Sequence, residues 1–194
     1  MISAVSGILL LITLALPASR GGLERGMVTH MLVQIPLLAV AGAIVVHDLP
    51  ARWRTPLAIW NRGGVTGTLL ALLVSAWWMV PRALDLALAS PSMELTKFVS
   101  LPLLVGAPLA LSWSRLGALG RGLVIGNVLP MWAVVGWMYV VAPVRVCNFY
   151  LVEQQVRAGA GLIGASAMVG LMMGAMAFRG SNPATPEARA IEAR

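Results

Sequence analysis

The chain is short of most of what a soluble domain carries at its surface. Only 11% of its 194 residues are charged, against about a quarter in soluble domains, while 59% are hydrophobic. One core of this size cannot hide so much apolar surface, which makes the bilayer the natural solvent. A single cysteine, Cys147, excludes an intrachain disulfide framework and any cysteine-cluster metal site. Histidine is almost as scarce. The two present, His30 and His47, fall near the ends of one apolar segment, which excludes a di-haem arrangement of facing histidines. There is no Gly-rich phosphate loop after a strand, no Ser-His-Asp set and no His-Glu-x-x-His. A protein that binds rather than catalyses is expected. The net charge of +7 is spread over single basic residues between apolar stretches, without the stripe that marks a nucleic-acid binder. Arginines so placed suit a phospholipid surface.

What is present is a series of apolar runs. A spanning helix needs about 20 apolar residues, with about 17 as the lower limit. Six segments meet or approach that length: Ile2 to Ala18, Met27 to Val46, Gly64 to Val80, Glu94 to Trp113, Leu119 to Ala142 and Ala158 to Phe178. The predicted fold is all-α, an integral membrane bundle of about six transmembrane helices over residues 1–178. A polar cytoplasmic tail is predicted over 179–194. No lysine or arginine precedes the first run, so it is read as a retained helix and not a secretory signal. No internal repeat supports an inverted-repeat transporter.

Six crossings place both termini on one side, with Arg52, Arg54, Arg62, Arg115, Arg121, Arg179, Arg189 and Arg194. The opposite side carries Arg20, Arg25, Arg82, Lys97, Arg145 and Arg157. Eight against six favours both termini on the cytoplasmic side.

Inside the runs, Pro36, Pro102, Pro108 and Pro130 each free a carbonyl and shape their helix. The fourth run, with two prolines six residues apart, is expected to be the most distorted. In the last run Ser166, Gly170 and Gly174 form a small-residue ridge for close packing. Met168, Met172 and Met176 lie on the opposite face, which is expected to meet lipid. His47-Asp48 is read as a helix end and surface pair.

Polar residues gather where the outer helix ends should lie. These are His30, then Met79, Arg82 and Asp85, then Glu94 and Lys97, and finally Arg145, Cys147, Asn148, Glu153 and Gln154. Ionisable groups at such depths suggest a site. Local pairs, Asp85 with Arg82 and Glu94 with Lys97, are the plainer expectation.

The order of these residues resembles the polytopic CtaG-like cytochrome c oxidase assembly factors. His30-Met31-Leu32-Val33-Gln34 resembles that family's His-Met-x-x-His, with Gln34 in place of the second histidine. Trp78-Met79-Val80-Pro81 resembles Trp-His-x-Pro with Met79 for histidine, and Leu84-Asp85 resembles Tyr-Asp. Glu94 and Phe98 occupy the positions of two histidines four apart. Glu153-Gln154-Gln155 before Ala158-Gly159 is similar to the entry into the last family helix. The resemblance implies a role in assembling or metallating a respiratory oxidase. It implies copper held by His30 and Met79, with Glu94 and Cys147 as further donors, since Cu(I) favours imidazole and sulfur. The rival expectation is a non-metal structural or scaffold subunit of a larger membrane complex. A small-solute transporter would need more polar groups along the bundle than Gln34 and Asn127.

Overall fold

A computed structural model of the protein describes residues 2–180, and these contain helices and no strand. In chain order they are α1 (Ile2–Ala15), α2 (Pro17–Leu23), α3 (Thr29–His47), α4 (Ala51–Trp60), α5 (Val65–Met79), α6 (Pro81–Ala89), α7 (Pro91–Trp113), α8 (Ala118–Val141) and α9 (Val152–Gly180). The all-α membrane bundle expected from the sequence is what the chain forms. The tail expected over 179–194 falls almost wholly outside the described residues.

Among the described residues, four helices are individually long and apolar enough to cross a membrane: Thr29–His47, Pro91–Trp113, Ala118–Val141 and Val152–Met176. The count rises to six if each of two bent pairs is one span. At 14 and 15 residues, α1 and α5 are only about 21–23 Å long, short of a hydrocarbon core of about 30 Å. Proline sets both bends. Pro17 and Pro81 occupy the first helical position after a residue in extended conformation, where proline starts a new helix and cannot continue the old one. The chain turns by 70° into α2 and by 74° into α6. The stretch from Pro81 to Ala89, which lies between the third and fourth apolar runs, is therefore a helix of its own. The connector after His47 likewise holds α4, whose Arg52, Trp53 and Trp60 are residue types that collect at a membrane surface.

Proline also explains the two widened turns inside long helices. The first part of α3, Thr29–Gln34, is π-helical, and Ile35 N–H donates to the His30 carbonyl five residues back. Pro36 follows at once. Its ring would clash with the carbonyl four residues earlier, and the wider turn avoids this. In α7 the segment Leu101–Gly106 does the same between Pro102 and Pro108, with Ala107 N–H donating to the Pro102 carbonyl. The distortion expected in this run is a π turn.

These two helices cross at the closest contact in the bundle. A Cβ on Gly106 would collide with the Ala39 carbonyl oxygen, and one on Gly42 with the backbone of Pro102. α1 packs along α3 on the other side, and Asp48 at the end of α3 accepts a hydrogen bond from Ala4 N–H at 3.2 Å. That bond satisfies a free amide in the first turn of α1. His47 beside it is exposed.

α8 and α9 form a hairpin whose members pack chiefly on each other. Its tightest point is Gly136 against Gly159, where either added Cβ would lie 2.5–2.6 Å from the other residue's carbonyl oxygen. The ridge expected further along α9 contributes less. Ser166 donates to the Leu129 carbonyl at 2.8 Å, a Cβ on Gly170 would make ordinary contact with Leu129, and one on Gly174 would meet nothing. Met168, Met172 and Met176 are exposed, as a lipid-facing stripe should be.

Candidate functional site

The 70° bend at Pro17 lays α2 and the loop after it across one end of the bundle. Arg20 and Glu24, four residues apart, there meet Glu94 and Lys97, three apart on the first turns of α7. The result is two crossed ion pairs, Arg20–Glu94 at 2.8 Å and Glu24–Lys97 at 2.7 Å. The first is partly exposed; the second reaches a lysine side chain with no solvent exposure at all.

Lys97 is the centre of the arrangement. Its ammonium donates to Glu24 Oε1 at 2.7 Å, to His30 Nε2 at 3.1 Å and to Gln34 Oε1 at 3.2 Å. An ammonium has three hydrogens and no acceptor, so each hydrogen has a partner. The Phe98 ring lies 5.1 Å away and adds a cation–π contact. Gln34 turns its amide nitrogen back to Glu24 Oε1 at 3.1 Å. The roles of the His30 nitrogens then follow. With Nε2 accepting from Lys97, the proton resides on Nδ1 and is donated to the Tyr150 hydroxyl at 2.8 Å. Tyr150 in turn donates to the Glu24 carbonyl at 2.9 Å. The π turn of α3 carries both His30 and Gln34. Five residues from α3, α7 and two connectors thus close a ring of polar contacts around one buried charge.

A second cluster fixes the connector between α8 and α9. Asp85 on α6 accepts the Asn148 backbone N–H at 2.8 and 3.0 Å and its side-chain amide at 2.9 Å. Gln155 accepts from Val146 N–H at 2.8 Å and donates to the Tyr139 carbonyl at 3.1 Å. Between them Cys147 is buried, its sulfur 3.9 Å from the Pro81 carbonyl oxygen. Burial, reinforced by the nearby Asp85 charge, pushes the thiol up from 9.0 to about 12. Burial and the charges of Glu24, Cys147 and Asp85 push the Tyr150 hydroxyl in the same direction. Below about pH 9 neither the native nor the unfolded thiol ionises, and this contribution is constant. As the pH climbs from 9 towards 12 the unfolded chain loses the proton while the native one keeps it, so stability falls. Native protein is expected to resist maleimide until unfolded. Its alkaline loss of stability should begin at higher pH in Cys147→Ala; an unchanged profile would show that the thiol contributes nothing. Membrane-impermeant labelling of Cys147 reports burial before it reports sidedness.

The four residues named as metal donors are placed as follows. His30 is buried with both ring nitrogens engaged. Met79 packs against the apolar core at the end of α5, beside a fully buried Trp78 that donates to Ser100 Oγ at 2.9 Å. Glu94 pairs with Arg20, and Cys147 lies behind Asp85 and Pro81. Among the described residues no three His, Cys, Asp or Glu side chains are grouped as metal ligands. The donor set does not fit Cu(I), because the one imidazole nitrogen with a free lone pair faces an ammonium. A cation already stands where a metal would have to approach.

The local pairs expected from sequence are also rearranged. Lys97 takes Glu24, Glu94 takes Arg20 and Asp85 takes Asn148, because α2 and the α8–α9 connector bring better-aimed partners than residues on the same helix can. Glu24 and Tyr150 were not singled out from the sequence. The spacings Arg20-Glu24 and Glu94-Lys97, complementary in sign, were the available signal. No protein family, curated protein or solved structure matches the chain.

Proposed function

We propose that the protein is a non-catalytic scaffold, a structural or assembly component held within a larger membrane complex. Its resemblance to CtaG-like factors makes a respiratory oxidase of a bacterial inner membrane the proposed complex, with both termini cytoplasmic. The observation that carries this reading is the saturation of Lys97. An intramembrane charge kept for transport or metal transfer needs an open valence or a path, whereas this one has all three hydrogens in place. Fully satisfied polar networks rigidify a core and specify its arrangement.

The α8–α9 hairpin supports a docked role. Within the chain it buries only 17% and 11% of its two spans, against 44% for α3 and α7. Leu119, Leu123, Val134 and Trp137 on α8 are all strongly exposed, which leaves a broad apolar face for lipid or a neighbouring subunit.

Copper analysis of the purified protein under reducing conditions tests the choice. The scaffold reading expects no bound copper, in wild type and in His30→Ala alike, and cross-linking from α8 to another membrane subunit. One equivalent of copper lost on His30→Ala would overturn it in favour of copper handling.

A further inference from the structure

Between α3 and α7 lies a groove of about 390 Å³, lined by Ala39, Val40, Ala43, Gly106, Leu109, Ala110 and Trp113. Its floor is the contact of Gly106 with Ala39, and small side chains keep it open. None of its lining residues is ionisable, and all belong to two helices long and apolar enough to cross a membrane.

The two ends differ. One stops at the helix crossing, and the other reaches Trp113, the last residue of α7, 39% exposed. Over the Trp113 ring lies the Arg121 guanidinium, 5.7 Å from the ring centroid, with its Nε donating to the Trp113 carbonyl at 3.1 Å. That bond fixes the guanidinium while leaving its terminal nitrogens without an acidic partner among the described residues. Trp at a span's end marks the depth of the lipid headgroups, and a guanidinium there has the fork geometry that phosphate accepts. An apolar slot that ends at Trp113, with a fixed, unneutralised cation stacked on that ring, is complementary to an acyl chain joined to an anionic head.

We propose that this groove binds one anionic phospholipid, with an acyl chain between α3 and α7 and the phosphate on Arg121. The site lies at the opposite end of the bundle from Lys97 and is independent of the scaffold reading. It would tie the chain to the leaflet on the side of its termini.

Native mass spectrometry of the detergent-solubilised full chain, titrated with phosphatidylglycerol or phosphatidylcholine, tests this. Wild type should hold one phosphatidylglycerol in preference to phosphatidylcholine. Arg121→Gln, a change at the surface, should weaken phosphatidylglycerol about fivefold, the worth of one basic contact of about 1 kcal/mol, with phosphatidylcholine unchanged. Ala110→Leu should lose both lipids by filling the slot, with thermal unfolding as the check that the bundle persists. Equal retention of phosphatidylglycerol by wild type and Arg121→Gln would overturn the proposal. So would a wild-type dimer that Ala110→Leu converts to monomer with lipid binding intact, which would assign the groove to a second copy.

Discussion

Lys97→Met is expected to destabilise the bundle by about 3–5 kcal/mol, the usual cost of removing one partner from a buried ion pair. Methionine fills much the same volume, so the loss is electrostatic rather than steric. Glu24 would keep its negative charge with only the Gln34 amide as a side-chain partner, while His30 Nε2 and Gln34 Oε1 would lose their donor. Neutralising the carboxylate as well, in Lys97→Met/Glu24→Gln, should recover more than half of that loss. Thermal unfolding in detergent measures both. Arg20→Ala supplies the contrast: its pair with Glu94 is partly exposed and should be worth less than about 1 kcal/mol. If Lys97→Met unfolds with wild type, or the double variant is no better than the single, the network does not hold the fold.

The second large effect is steric. Gly106→Leu should give no folded protein, since even the first carbon of a side chain overlaps the Ala39 carbonyl across the crossing. Gly106→Ala is the graded version, expected to cost about 1–3 kcal/mol as α3 and α7 are forced apart. Gly126, in α8, has nothing within 4 Å of an added Cβ. There alanine should be neutral or stabilising by up to about 1 kcal/mol through helix propensity. Thermal unfolding of the two alanine variants side by side decides the matter. Equal behaviour would mean that the crossing is looser than the backbone contact implies.

The helices were legible because apolar length is a property of each segment alone. Met27 to Val46 became Thr29–His47, and Leu119 to Ala142 became Ala118–Val141, within three residues at every end. The first run, Ile2 to Ala18, passes through Pro17 without a break, and the angle by which the chain turns at Pro17 and Pro81 depends on what it then packs against. This is why α2 and α6 were not separated as helices of their own. The site was harder to see for the same reason. His30 was singled out as a copper donor, whereas the partners it has in the fold are residues 67 and 120 positions away. No spacing rule reaches across such distances. Glu94 and Lys97 sit three apart and suggested a pair, yet Glu94 is claimed by Arg20 on α2 and Lys97 by Glu24 just after it, in a segment too short and too Gly-rich to attract notice.

The position of Lys97 in the chain also bears on the cost of placing its charge. Within a bilayer, a lone lysine is costly to place, by about 2.5–3.5 kcal/mol at mid-depth. Its acceptors Glu24, His30 and Gln34 are all synthesised before it. Lys97 therefore meets acceptors that already exist when it is made, and their hydrogen bonds offset that cost. Tyr150 arrives some fifty residues later and ties His30 to the Glu24 carbonyl. In order of synthesis, the residue that closes this network is thus the last of its five to be made.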